Sequence, residues 1–225
     1  MRILFVGDSM TIGAAGDHTW RYRLWQHLCR TRPEDAPEIV GPRTALHEGS
    51  HGYADPAFPT HARAHLAGWG EGWLHMAPVV GETVAAYAPD TLLVSLGLID
   101  LGFYTGPEQT LENVELFLAR ARAANPALRA VLLPVIPNIR AATDPPFAAA
   151  CAHFNTLLAK AVADLSEPRS PLLLASVPSD WSPARDTYDG THPSAEGEHR
   201  IAAAFADALH QAWALGGPYG GIPVC

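Results

Sequence analysis

Two short segments far apart in the chain hold the residue types needed for acyl chemistry. Near the N-terminus, Ile3-Leu4-Phe5-Val6 runs into Gly7-Asp8-Ser9-Met10-Thr11; near the other end stands Asp189-Gly190-Thr191-His192-Pro193. A serine hydroxyl is almost fully protonated at neutral pH, so as a nucleophile it needs a base within hydrogen-bond reach. Histidine can take that proton and return it to the leaving group. An aspartate on the other ring nitrogen fixes the tautomer. The spacing of Asp189 and His192 lets both side chains of one tight loop converge, with Gly190 permitting the turn and Pro193 starting the following helix.

The elements that must position these groups follow from hydrophobic patterning. Apolar runs predict strands over residues 3–6, 39–40, 91–96, 130–135 and 172–175, the first, third and fourth nearly continuous, as strands covered on both faces should be. Amphipathic spacing predicts helices over 19–32, within 71–87, and over 111–124, 147–165 and 195–215, with Thr110 as a cap for the third. That alternation implies an α/β fold: three layers, α/β/α, flavodoxin-like, around a five-stranded parallel sheet of order 2-1-3-4-5. Residues 1–215 read as a single domain and 216–225 as a Gly/Pro-rich extended tail, with residues 42–70 as a long irregular stretch. Sites in such sheets form beyond the carboxyl ends of the strands. This gathers Gly7–Ser9, the loop after the second strand, Gly97–Gly102 and the Asp189–His192 loop at one edge.

Composition narrows the classes of partner. The 225 residues, 48% hydrophobic and 17% charged, suit an ordinary globular domain. A net charge of −8 with no basic cluster argues against nucleic acid or an anionic membrane. Cys29, Cys151 and Cys225 are odd in number and widely spaced, which fits neither a disulfide framework nor a metal site. No run is long enough to span a membrane, and Met1-Arg2 leads straight into the first strand without a cleavable leader, so a cytoplasmic location is expected.

Several residues carry simpler readings. His47-Glu48-Gly49-Ser50-His51 matches H-E-x-x-H, which binds zinc only on a helix, and Gly49-Ser50, Gly52 and Asp55-Pro56 break one; no metal is expected. His61 and His65 read as a solvated helical face, Asp100 as a structural acceptor and Asn155 as a satisfied polar group. Trp69, Trp73 and Trp181 either line a pocket or pack in the core. Asp186 is a rival to Asp189 as the carboxylate.

In order along the chain, Gly7-Asp8-Ser9-Met10-Thr11, His47–Tyr53 with Gly52, Gly97-Leu98-Ile99-Asp100, and Asp189-x-x-His192-Pro193 resemble the blocks of the SGNH hydrolases, also called GDSL esterases/lipases. The resemblance implies Ser9 as nucleophile, His192 as general base and Asp189 as its orienting carboxylate. It also implies the backbone N–H groups of Ser9 and Gly52 as oxyanion donors. The family's third donor is an asparagine side chain, and here that position is Ile99, which has nothing to donate. Loss of one such donor costs about 10²–10³ in turnover. Three accounts compete: a substitute donor such as Asn138, two backbone donors acting on an activated ester such as a thioester, or a site that only binds. Retention of Ser9, Asp189 and His192 favours the first two.

The expected activity is a serine-dependent acyl-ester hydrolase of esterase or deacetylase type, working through an acyl-enzyme on a small or carbohydrate-like ester without a cofactor. The alternatives are an acyltransferase using the same serine and a catalytically weak binding protein.

Overall fold

The computed structural model describes residues 1–220. Ile3, Leu4, Phe5 and Val6 are fully buried, and they form the centre of β1 (Arg2–Gly7). Five further parallel strands follow: β2 (Glu38–Ile39), β3 (Leu66–Ala67), β4 (Thr91–Ser95), β5 (Arg129–Leu133) and β6 (Leu172–Leu174). The sheet runs β2-β1-β4-β5-β6, with β3 pairing β1 off that path. The expected order is therefore present, with one strand added. β3 lies inside the stretch read as irregular, and two residues are too few to show a period.

Helix α1 (Ser9–Ile12) follows β1 at once, and α2 (Trp20–Thr31) completes the first crossover. The segment 71–87 divides into α3 (Trp73–Met76) and α4 (Val80–Tyr87). Pro78 stands between them and has no N–H to continue the first turn. Helices α5 (Pro107–Ala124), α6 (Pro145–Leu165), α7 (Pro183–Asp186) and α8 (Ala195–Trp213) complete the chain. Helices α2 and α8 pack together in one layer, tied by Trp20 stacked on Phe205 at 4.7 Å; α4, α5 and α6 form the other. Cap chemistry corrects one expectation. α5 begins at Pro107 after Gly106, and Thr110 sits inside the first turn, its hydroxyl donating to the Gly106 carbonyl at 2.8 Å. Proline at the first helical position made a side-chain cap unnecessary.

Past α8, residues 216–220 are irregular but held. His210 Nδ1 meets the Gly216 carbonyl, His27 Nε2 the Gly217 carbonyl, and Tyr219 Oη lies 2.8 Å from His199 Nδ1. The rest of the predicted tail, with Cys225, lies outside the described residues. No helix among the described residues is long and apolar enough to cross a membrane.

Candidate active site

The turn from β1 into α1 has little freedom. A side chain at Gly7 would sit 2.0 Å from Thr11 Oγ1, so only glycine lets strand and helix approach this closely. Asp8 caps α1, its carboxylate accepting the Met10 N–H at 2.9 Å. Burial, opposed by that hydrogen bond and reinforced by nearby Asp100, pushes the Asp8 carboxyl up to about 7. Ser9 is the first helical residue. The Thr11 and Ile12 N–H groups donate to the Asp8 carbonyl, while the Ser9 N–H has no partner among the described residues.

The other half lies between α7 and α8. His192 Nδ1 is 2.6 Å from Asp189 Oδ2, and Asp189 Oδ1 accepts the backbone N–H of Thr191 and of His192 at 2.9 and 2.7 Å. Burial works against ionisation of Asp189, but these hydrogen bonds prevail and hold its carboxyl below the ordinary value. The loop closes on an antiparallel bridge between Thr187 and Pro193, and Gly190 occupies φ +90°, a region that favours glycine. Asp186 is elsewhere: fully buried, it pairs with Arg185 and accepts the Ser182 N–H.

Ser9 and His192 line one pocket of ≈ 370 Å³ together with Trp69, Ile99, Asn138 and Arg140. Ser9 Oγ forms no hydrogen bond with His192 among the described residues, a contact that often tightens only when substrate is bound. The imidazole has two aromatic neighbours: Trp69 stacks on it at 4.4 Å and Tyr188 lies near parallel to it at 5.8 Å. Behind Trp69, His47 stacks at 4.1 Å. Thus His47-Glu48-Gly49 is a single 3₁₀ turn, with Glu48 at φ 56° and Ser50 extended, and it supports an aromatic column.

Two sequence readings need correction here. Gly52 is exposed, its N–H donates to Ser50 Oγ at 3.1 Å and its carbonyl receives the Gly16 N–H; it does not line the pocket. The structure instead brings up the turn after β3. The register Gly7↔Ala67 and the Gly68 N–H to Gly7 carbonyl bond carry Trp69 and Gly70 alongside Ser9. Gly70, at φ +73°, lines the pocket, and its N–H has no partner among the described residues. His65, read as solvated, is fully buried, bonded through Nε2 to the Ala45 carbonyl and through Nδ1 to the Ala67 N–H.

Ile99 and Asn138 share the pocket. Asn138 Nδ2 donates to Thr191 Oγ1 at 3.1 Å and its Oδ1 accepts the Arg140 N–H at 3.2 Å, which fixes how the amide is turned. Asp100 is fully buried and caps α3, accepting the N–H groups of Trp73 and Leu74 at 2.9 and 3.1 Å. Trp73 is core, edge-on to Phe117, and Trp181 packs beside Gly197. Asn155 is satisfied by both backbone groups of Val135. Residues 100–104 form a π-turn that leaves Phe103 and Tyr104 exposed at the pocket rim. These two, with Gly70 and Arg140, were not singled out from sequence. A second groove, of ≈ 480 Å³, lies between α8 and the segment after β6 and contains neither Ser9 nor His192.

Comparison with solved structures gives the same architecture. The chain is similar to a mutant acetyl esterase crystallised with acetate ion, at 20% identity and TM-score 0.78, over 94% of this chain and 97% of that one. It is similar to a carbohydrate esterase family 3 protein from Talaromyces cellulolyticus, at 21% identity and TM-score 0.78, over 94% and 97%. A family 3 carbohydrate esterase from Clostridium thermocellum aligns at 17% identity and TM-score 0.73, over 96% and 99%. No curated protein sequence matches the chain. The family model that does match spans residues 5–200, from β1 through the Asp189–His192 loop into α8, and the chain belongs to the GDSL-like lipase/acylhydrolase family.

Proposed function

We propose that the protein is a serine ester hydrolase acting through an acyl-enzyme. The observation that carries this is the 2.6 Å contact of His192 Nδ1 with Asp189, which leaves Nε2 as the free ring nitrogen in a pocket shared with Ser9. His192 takes the Ser9 proton as Oγ attacks the ester carbonyl. The Ser9 and Gly70 N–H groups receive the oxyanion, Gly70 taking the part first given to Gly52. Collapse expels the alcohol, protonated by His192, and water deprotonated by the same nitrogen then releases the acid and restores Ser9.

Asn138 takes the place of the side-chain donor that Ile99 lacks. One amide hydrogen is committed to Thr191, which turns the group and leaves the second for the oxyanion. A donor already held in place costs no reorganisation during the reaction. Small acyl groups on carbohydrate-like alcohols are the proposed substrate class. The acetyl and carbohydrate esterases among the similar structures support it, as do the aromatic rims of Trp69, Phe103 and Tyr104.

The test is hydrolysis of p-nitrophenyl acetate by the wild-type protein and by Ser9→Ala. Release of nitrophenol by the first and not by the second is expected; equal rates would overturn the reading.

A further inference from the structure

The Ser9 pocket holds one permanent charge, and that charge is positive. Among the described residues lining it, Arg140 is the only arginine or lysine, and no carboxylate lines it, in a chain whose net charge is −8. The guanidinium is held in place. Its Nε donates to Asp144 Oδ2 at 2.8 Å, Nη1 donates to the Gly102 carbonyl at 3.1 Å, and Cζ lies 4.5 Å from the centre of the Phe147 ring. Nη2 has no hydrogen-bond partner among the described residues, although the side chain sits at the mouth of the pocket. Asp144 is the counter-charge of this half-exposed arginine on its Nε side, its other oxygen capping α6 by accepting the Phe147 N–H at 3.1 Å, and neither oxygen meets Nη2.

Resting on the hydrolase reading above, we propose that Arg140 is a specificity-determining residue, and that the ester cleaved carries an anionic group, a carboxylate or a phosphate, which the free Nη2 binds. A guanidinium fixed through Nε and Nη1 presents Nη2 as a charged donor for an oxygen of such a group. Stacking on Phe147 and the two hydrogen bonds have already removed most of the rotamer freedom that binding would otherwise cost. Asn138 and Thr191, bonded to each other in the same pocket, add polar groups to its lining. A neutral sugar ester would give Nη2 no anionic oxygen to bind.

The experiment compares kcat/KM for 4-acetoxybenzoate with that for its neutral analogue 4-acetoxybenzamide, and phenyl hydrogen succinate with phenyl butyrate. The first pair places the charge on the leaving group and the second on the acyl group. The wild-type protein is expected to prefer the anionic member of at least one pair. Arg140→Met is expected to lower that preference about 10–100-fold, Arg140→Lys to retain part of it, and added salt to weaken it. A second arm needs no turnover: Ser9→Ala protein is titrated calorimetrically with benzoate and with inorganic phosphate, alone and with Arg140→Met added. Binding that requires Arg140 supports the proposal even if no ester is cleaved, an outcome that overturns the hydrolase reading instead. Cleavage with no anionic preference, or a preference and binding that survive Arg140→Met, overturns the proposal.

Discussion

The indole of Trp69 stacks on the imidazole of His192, with ring centres 4.4 Å apart and planes 25° from parallel. The two residues reach each other from distant segments of the chain, one from the turn after β3 and one from the loop before α8. Trp69 thereby does for the ring plane what Asp189 does for the tautomer. Trp69→Leu is expected to lower kcat on p-nitrophenyl acetate roughly 3–10-fold, the worth of one aromatic pair. Unchanged kinetics in a folded variant would show that Asp189 orients the ring alone.

Asp189→Asn retains the size of the side chain but supplies an amide where the His192 N–H needs an acceptor. Turnover should fall about 10⁴-fold. Asp186→Asn, which removes the charge of a buried carboxylate paired with half-exposed Arg185 and with Arg200, should lower the melting temperature while kcat in the folded protein stays near wild type. Reversal of the two phenotypes would reassign the carboxylate.

Exchange of the oxyanion donor is tested by a pair of variants. Asn138→Ala should reduce kcat about 10²-fold, the usual cost of one such donor. Ile99→Asn should change it by less than about 3-fold, since a third donor is already supplied. A large gain from Ile99→Asn together with no loss from Asn138→Ala would mean that the site works with two backbone donors.

The contribution of Asp8 and Glu198 to stability should fall as pH rises from about 4 to about 7. His199, which burial lowers to about 4, and His65, lowered by burial and nearby Arg21, contribute in the opposite direction. Burial pushes Asp8 up to about 7, and burial, outweighing the Thr19 N–H and Arg23, does the same to Glu198. A carboxyl whose folded pKa lies above its unfolded value is protonated in both states at low pH, so its contribution is fully present there. That contribution is lost as pH rises from the unfolded value, near 4, through the folded value of about 7. Asp144, Asp186 and Asp189 lie below the ordinary value, so their contribution is lost only in more acidic solution. Asp8→Asn preserves a cap for α1 and should flatten the profile, raising the melting temperature at pH 8 but not at pH 4. Thermal melts at both pH values decide this.

The fold was legible because its signals are long. Ile3–Val6 and residues 91–96 are runs that only a sheet covered on both faces accommodates, and helices such as α5 repeat their apolar positions over several turns. β3 has two residues and no period, and it was the element that mattered for the site. Without it the turn at Trp69–Gly70 has no place beside Ser9, and Gly52, which follows a different loop, stands as the glycine for the proposed second donor. The placement of Ser9 and His192 in one pocket, with Asp189 bonded to His192, was legible because their spacing is local or follows a strand. Arg140 and the Trp69 stack were not, since both depend on contacts between segments many residues apart.

The central claim is that Ser9 is a nucleophile that becomes acylated. Incubation with a fluorophosphonate followed by peptide mass spectrometry tests it most directly. One adduct, on the peptide bearing Ser9, absent after Ser9→Ala and much slower to form after His192→Ala, is the predicted result. No adduct on folded wild-type protein, or an adduct on another residue that persists in Ser9→Ala, would contradict it.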